Sequence, residues 1–401
     1  MRKKVVLGSS VFLWQTSTEG FLYDWISGAC LRFPVVDSGI RALCDQWEDL
    51  DNLYAARFNP QENDSQVNKL VTAIVLRGLG RVYDENASAV SFPPVLKINR
   101  SVERKAIMDR VETQPILPNL THLRVFLGGV TGDRNLWKQA MFPMASSDFL
   151  EINRLRGFLH RCDCHSLAQI DLVISDWDAG RISAFSEGLS EMSMKEKVRF
   201  FFAHPDPGFN NEILVGLVAD GYAVTQMCLP DKRIERAAWV QGRNYQLFVR
   251  GEEEAEYWER LLEGTDGVDY VFKPIADNNL EFFYNNVFLS EEEILSQRLT
   301  KKEIFRHQAL NVNQFGTLYV FPDGTIHPAA DAPAIGTLED PVHQTIVREL
   351  VENHAWRQTR RRMEPCKNCL YHDLCPSPSV YERIFGVPGC NYWRKETSLP
   401  V

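Results

Sequence analysis

The chain has 401 residues, 44% of them hydrophobic and 24% charged, and carries a net charge of −9. This composition supports packed cores spread over two or three domains and excludes a disordered chain. The acidic balance argues against a nucleic-acid partner, which would need a basic stripe to displace counterions. No apolar run reaches the roughly 18 residues of a membrane span, so no membrane partner is expected either.

Met1-Arg2-Lys3-Lys4 ahead of Val5–Trp14 imitates a secretory signal. Gly8-Ser9-Ser10 interrupts its apolar part and no small-residue cleavage site follows, so a cytoplasmic protein is expected. Val11–Trp14 and Phe21–Trp25 are aromatic, strand-favouring runs joined by Ser17-Thr18-Glu19-Gly20, a hairpin connection ending in glycine. Asp37 reads as a helix cap before Ile40, Leu43, Cys44 and Trp47 at helical spacing. A second helical piece is expected over Leu50 to Arg57. A third follows Asp64, with Val67, Leu70, Val71, Ile74 and Val75 on its inner face, and Gly80–Tyr83 returns as a strand. Two or three strands followed by three small helices give a winged-helix outline for residues 1–90. It resembles the peptide-recognition domain of ribosomal peptide-maturation systems, which is related to the quinone-cofactor peptide chaperone. The resemblance implies that an extended leader peptide adds to the sheet edge as a further strand. The alternative is a winged helix that only packs on the next domain. A DNA-binding version would need more basic residues on the third helix than Lys69 and Arg77.

Residues 91–305 alternate apolar strands with amphipathic helices, the pattern of parallel βα units. The expected strands are Leu120–Leu127, Ala168–Ser175, Val198–Ala203, Tyr222–Leu229, Tyr245–Val249 and Val268–Phe272. Helical stripes run through Phe149, Ile152, Leu155, Phe158 and Leu159, through Ile213, Leu214, Leu217 and Val218, and through Tyr257, Trp258, Leu261 and Leu262. Six such units give an α/β fold, a partial (β/α)6 TIM-like barrel, with chemistry on the loops beyond the strand C-termini. Those loops hold Gly128–Asn135, Asp176-Trp177-Asp178 and His204-Pro205-Asp206. Asp176, Asp178, His204 and Asp206 could form an acid–base or metal cluster, although capping and turn formation explain the same residues more simply. Cys162 and Cys164, one residue apart, are too close for an ordinary chelating pair.

Residues 306–401 carry four of the nine cysteines, Cys366, Cys369, Cys375 and Cys390. Their Cys-x2-Cys-x5-Cys-x14-Cys spacing suits a metal centre, and an odd cysteine total fits a reducing compartment better than a disulfide framework. Four thiolates satisfy either a [4Fe-4S] cluster or a tetrahedral zinc, and His372 could replace Cys390 in the zinc version. The basic run Arg357, Arg360, Arg361 and Arg362 reads as the solvated end of a helix.

Before the cysteines come Leu318–Pro328, which contains Pro322-Asp323-Gly324, and Ile335-Gly336-Thr337-Leu338. This order resembles the SPASM/twitch region of peptide-modifying radical S-adenosylmethionine (radical SAM) enzymes: a hairpin, an Ile-Gly turn, a helix, then cysteines holding auxiliary [4Fe-4S] clusters. Two departures stand out. Ala329 and Ala330 follow Pro328, where the family usually has a cluster cysteine. The catalytic Cys-x3-Cys-x2-Cys is absent at any spacing, and Ser175–Asp178 replaces the Gly-Gly-Glu-Pro that supports the cofactor amine. The chain thus resembles a pseudo-radical-SAM protein of bacterial peptide-maturation systems. That resemblance implies a non-catalytic partner or substrate-presenting scaffold that binds a precursor leader peptide, holds one auxiliary [4Fe-4S] cluster and works beside a true radical SAM maturase. S-adenosylmethionine is not expected. The alternatives are a peptide-modifying enzyme using another site on the barrel, or a zinc-braced structural protein.

Overall fold

The computed structural model describes residues 2–61, 65–89, 91, 108, 115–128, 148–162, 165–174, 179–231 and 238–392. The N-terminal region holds two three-stranded antiparallel sheets. In one, β1 (Lys3–Leu7) lies between β5 (Ala55–Phe58) and β6 (Gly80–Asp84). In the other, β2 (Val11–Gln15), β3 (Glu19–Asp24) and β4 (Cys30–Pro34) form a meander. The signal-like start of the chain is therefore a central strand, with Val5, Val6 and Leu7 buried.

Helix α1 (Ser38–Glu48) buries Ile40, Leu43, Cys44 and Trp47 as their spacing predicts, and Asp37 caps it by accepting from the Ile40 N–H at 3.0 Å. Helix α2 (Ser65–Leu76) buries Val67, Leu70, Val71 and Ile74. Val75, expected on that face, is 44% exposed, because one residue turns a helix by about 100° away from Ile74. The expected helix over Leu50 to Arg57 does not form. A 3-10 turn (Leu50–Asn52) is followed by Leu53 and Tyr54 in the left-handed region, which reverse the chain into β5. There Ala56 and Phe58 alternate inward against β1. The region therefore has more strand, and one α-helix fewer, than its pattern suggested.

The middle of the chain is a mixed α/β unit built on a large parallel sheet. Strands β7 (His122–Phe126), β8 (Gln169–Ile174), β9 (Val198–Ala203), β10 (Ala223–Cys228), β11 (Asn244–Val249) and β12 (Asp269–Pro274) lie side by side in chain order, all parallel. Each falls within a residue or two of its expected position. Helices α3 (Ile152–Leu159), α4 (Ala179–Glu191), α5 (Glu212–Ala219) and α6 (Glu252–Leu262) connect them. In a flat sheet β7 and β12 would stand about 24 Å apart. Arg124 of β7 and Lys273 of β12 nevertheless line one cavity, so the sheet curls into an open barrel. Its inner wall is filled by Phe126, Val173, Phe201, Met227, Phe248 and Phe321.

Helices α7 (Leu280–Asn286), α8 (Glu291–Ser296) and α9 (Lys301–Ala309) lead out of the barrel. The last two begin with capping boxes, Ser290 with Glu293 and Thr300 with Glu303. Strand β13 (Thr317–Val320) pairs in parallel with β7 and so extends the barrel sheet. A tight turn leads to β14 (Thr325–His327), which pairs with β15 (Gly336–Thr337). Gly324 is required at that turn, where φ is +86° and a Cβ would meet the Arg154 guanidinium. Helix α10 (Val342–Glu352) ends at left-handed Asn353, and α11 (Val380–Phe385) lies beyond the first three cysteines of the cluster. Among the described residues no helix is long and apolar enough to cross a membrane.

Candidate functional site

Cys366 opens a 3-10 turn (Cys366–Asn368) and Cys369 closes it, so two thiols leave one turn together. Cys375 follows on the next loop, and Cys390 arrives from beyond α11, where it bridges Leu289. None of the four is in a disulfide, and all are buried, at 4–6% exposure. Burial pushes the Cys366, Cys369 and Cys375 thiols above their ordinary pKa, Cys369 to about 12, and the charges of the neighbouring cysteines, Cys390 among them, push further. Even so, among the described residues no three His, Cys, Asp or Glu side chains are gathered closely enough to hold a single ion. His372 sends Nδ1 to the Cys369 carbonyl and places Nε2 3.4 Å from Asp373. Ala329 is buried in the barrel-side core.

Four thiols in an apolar site can ionise together only beside positive charge. Arg360 supplies some: 4% exposed, it points Nη1 at Cys366 Sγ, 3.6 Å away. Burial opposes its charge, but Glu382 and then Cys375 and Cys366 outweigh that and raise its pKa. Glu382, 3% exposed, accepts from Arg360 Nη1 at 2.6 Å and Nη2 at 3.2 Å. It also accepts the Ser379 N–H at 2.7 Å and the Gly389 N–H at 2.6 Å. One carboxylate thus starts α11 and holds the residue next to Cys390. Tyr371 N–H donates a second hydrogen bond to sulfur, 3.4 Å from Cys369.

The basic run is not a solvated helix end. Arg357 and Arg360 are each 4% exposed, and Arg361 pairs with Asp373, itself fully buried between Cys369 and Cys375. The chain leaves α10 at Asn353, so these arginines fall in the cysteine-bearing loops, where buried acids need them.

Asp373 also ties this module to the N-terminal meander, accepting from Trp14 Nε1 at 2.7 Å and from Gln308 Nε2 at 3.0 Å. Phe12 packs on Phe305 and Phe21 on Tyr371, edge to face. The outer face of the meander and Cys369, Cys375 and Cys390 share one core. The edge strands of the meander are β2 and β4. Asp24 N–H donates to Ala29 O at 2.9 Å and Val35 N–H to Thr18 O at 2.7 Å, which fixes the alternation between β3 and β4. Leu31 and Phe33 therefore bond to β3, while the main chain of Arg32 faces outward. Arg77 covers the Cys30 carbonyl, and Pro34 has no N–H to offer. Tyr371 links back to this edge, since its hydroxyl donates to Glu291, 3.6 Å from Arg32.

Asp176, Asp178, Cys164 and the loop after Gly128 lie outside the described residues. Asp206 uses its carboxylate to hold the Gly208 N–H at 2.8 Å, and His204 Nδ1 takes the Asp206 N–H at 3.2 Å while its ring stacks on Phe209. Both residues shape a turn.

No protein-family model matches the chain, and no curated protein matches it. Among solved structures it is similar to the crystal structure of Streptococcus suis SuiB bound to precursor peptide SuiA: 9% identity, TM-score 0.41, covering 97% of this chain and 98% of that one. It is also similar to native anSMEcpe with bound AdoMet, at 11% identity and TM-score 0.40, covering 64% and 88%. A third likeness is BtrN in complex with AdoMet and 2-DOIA, at 11% identity and TM-score 0.31, covering 62% and 92%. These likenesses are loose, and function has to be read from this chain's own residues.

Proposed function

We propose that the chain is a non-catalytic, substrate-presenting partner in the maturation of a ribosomally made peptide, working beside a radical SAM maturase. Residues 1–90 serve as the peptide-recognition domain, 91–305 as a barrel without the catalytic cluster, and 306–401 as the SPASM-like metal module. The observation that carries this is the position of the β4 edge: the meander that offers it packs its other aromatic residues into the core of the four-cysteine module. A leader peptide joining β4 would use the outward main-chain groups of Arg32, and main-chain bonds accept many side chains.

Cys366, Cys369, Cys375 and Cys390 would hold one [4Fe-4S] cluster, which, fully ligated by thiolates, supplies structural bracing or electron relay. Four thiolates on one zinc would be drawn to about 3.8 Å of one another. The preference for iron–sulfur over zinc rests on the SPASM-like order of Pro322-Asp323-Gly324, Ile335-Gly336 and the cysteines. Arg360 balances their charge, and Glu382 keeps Cys390 in place. The sequence lacks the catalytic cysteine triplet, and the inner wall of the barrel is packed with its own apolar side chains. Both fit a role without S-adenosylmethionine.

The test separates main chain from side chain at the edge. Arg32→Pro removes the outward N–H, a change that edge strands tolerate, whereas Arg32→Ala removes only the contacts to Glu19, Glu291 and Tyr392. In fluorescence anisotropy with a labelled leader, Arg32→Ala should bind within a few-fold of the parent and Arg32→Pro at least tenfold more weakly. Equal binding by the parent and Arg32→Pro, or no binding by the parent at micromolar concentrations, contradicts docking on β4.

A further inference from the structure

Helix α11 of the C-terminal module reaches from the edge strand β12 to the connection between β14 and β15. Tyr381 of α11 donates its hydroxyl to the Pro274 carbonyl at 2.8 Å, and Arg383 of the same helix pairs with Asp331 at 2.6 Å. Phe283 packs on Tyr381 and Phe385 from the opposite side. Behind this helix a cavity of about 200 Å³ remains inside the barrel wall. A dry cavity of about 150 Å³ already admits benzene, so this one has room for a ligand of six to nine heavy atoms.

Its lining is chemically lopsided. Arg124, Lys273 and the amide of Gln246 supply donors, the floor is Phe248, Ile275 and Ile384, and no carboxylate lines it. Lys273 is half-buried and makes no ion pair among the described residues. Arg124 lies 5.5 Å from the Phe201 ring, which fixes it against the inner wall. Two cations, one from β7 and one from the edge strand β12, thus face the same small space, beside an aliphatic and aromatic surface. A phosphate would use the charge and leave the apolar half uncovered. A short carbon chain ending in a carboxylate would use both.

We propose that this cavity is a binding site for a short aliphatic carboxylate, the chemistry shared by the side chain of an acidic residue in a peptide and by a free dicarboxylic acid. Arg124 and Lys273 clamp the carboxylate, Gln246 donates a further hydrogen bond, and Ile275 and Ile384 cover the methylenes. The site is separate from the β4 edge and does not depend on leader binding there.

The experiment uses the full chain at fixed ionic strength and glutarate as the probe, followed by saturation-transfer NMR and calorimetry. Glutarate should bind with a dissociation constant of millimolar or tighter, and its uncharged isostere glutaramide should bind at least tenfold more weakly. Lys273→Gln, on the edge strand, and Arg124→Gln should each weaken glutarate at least tenfold with the thermal midpoint retained, and Ile384→Trp should fill the space and abolish binding. A peptide with one internal glutamate that competes with glutarate identifies the side-chain source; failure to compete assigns the site to the free acid. Glutaramide binding as well as glutarate, unchanged binding in Lys273→Gln and Arg124→Gln, or displacement of glutarate by equimolar phosphate would overturn the assignment.

Discussion

Glu382→Gln is the most informative single change in the C-terminal module. Glu382 and Arg360 face each other with side chains 1% and 5% exposed. Breaking such a pair from one side leaves an unbalanced buried charge and costs about 3–5 kcal/mol. The amide that replaces one carboxylate oxygen turns an acceptor into a donor, so one Arg360 N–H and one backbone N–H, of Gly389 or of Ser379, lose their partner together. Arg360→Met leaves the carboxylate two backbone donors and should cost somewhat less. The double variant Arg360→Met/Glu382→Gln removes both charges and should be more stable than the two losses added, by about 2 kcal/mol or more. The assay is anaerobic urea unfolding, with midpoints compared at a shared slope. A Glu382→Gln cost below about 1 kcal/mol, or losses that add to within about 0.5 kcal/mol, would refute the picture of one mutually dependent pair.

Asp171 is 2% exposed, and although burial alone would raise its pKa, hydrogen bonding and charge from His122 and Arg199 hold it below the ordinary value. A depressed carboxylate contributes stability that is present above its unfolded pKa, near 3.9, and is lost as pH falls through the folded value. Asp171→Asn should therefore be less stable at pH 7 and should flatten the acid limb of the unfolding profile; an unchanged limb contradicts this. Gly324→Ala forces a side chain to φ +86° against Arg154 and should cost about 1–3 kcal/mol in thermal unfolding; a neutral substitution would mean that the turn can relax. Cys366→Ala should lower metal retained after anaerobic desalting without unfolding the barrel, as read by far-UV circular dichroism; full retention would remove Cys366 from the ligand set.

The parallel sheet was legible because its strands are short apolar runs separated by helical stripes and by glycine, proline and acidic turns. His122–Phe126 and Val198–Ala203 needed nothing more. Helix α4 is absent from the expected helices because Gly180, Ser183, Ser186 and Gly188 dilute the stripe of Ile182, Phe185 and Leu189. Gly188 sits there because Ile152 of α3 comes within 2.9 Å of where its Cβ would stand. The N-terminal region was misjudged where tertiary pairing overrode local pattern. Lys3–Leu7 is apolar enough to mimic a targeting segment, and only its two strand partners make it a central strand.

The cysteine spacing pointed to Cys366, Cys369, Cys375 and Cys390, and all four are buried. Their surroundings were not legible. Nothing local in the sequence says that Arg360 meets Glu382, or that Trp14 reaches Asp373 across the whole length of the chain. Charges next to thiolate-bearing loops could have prompted a search for buried pairs, because an arginine run without a helix to end has to find acids elsewhere. The Arg124 and Lys273 cavity had no sequence signal at all, since it exists only once the sheet has curled.

The measurement that bears most directly on the account is the iron, sulfide and zinc content of anaerobically purified protein, with an absorbance scan near 400 nm. About four irons and four sulfides per chain are expected, the content of one cubane cluster. Stoichiometric zinc without colour would contradict the cluster, and about eight irons would contradict a chain that has lost its catalytic site.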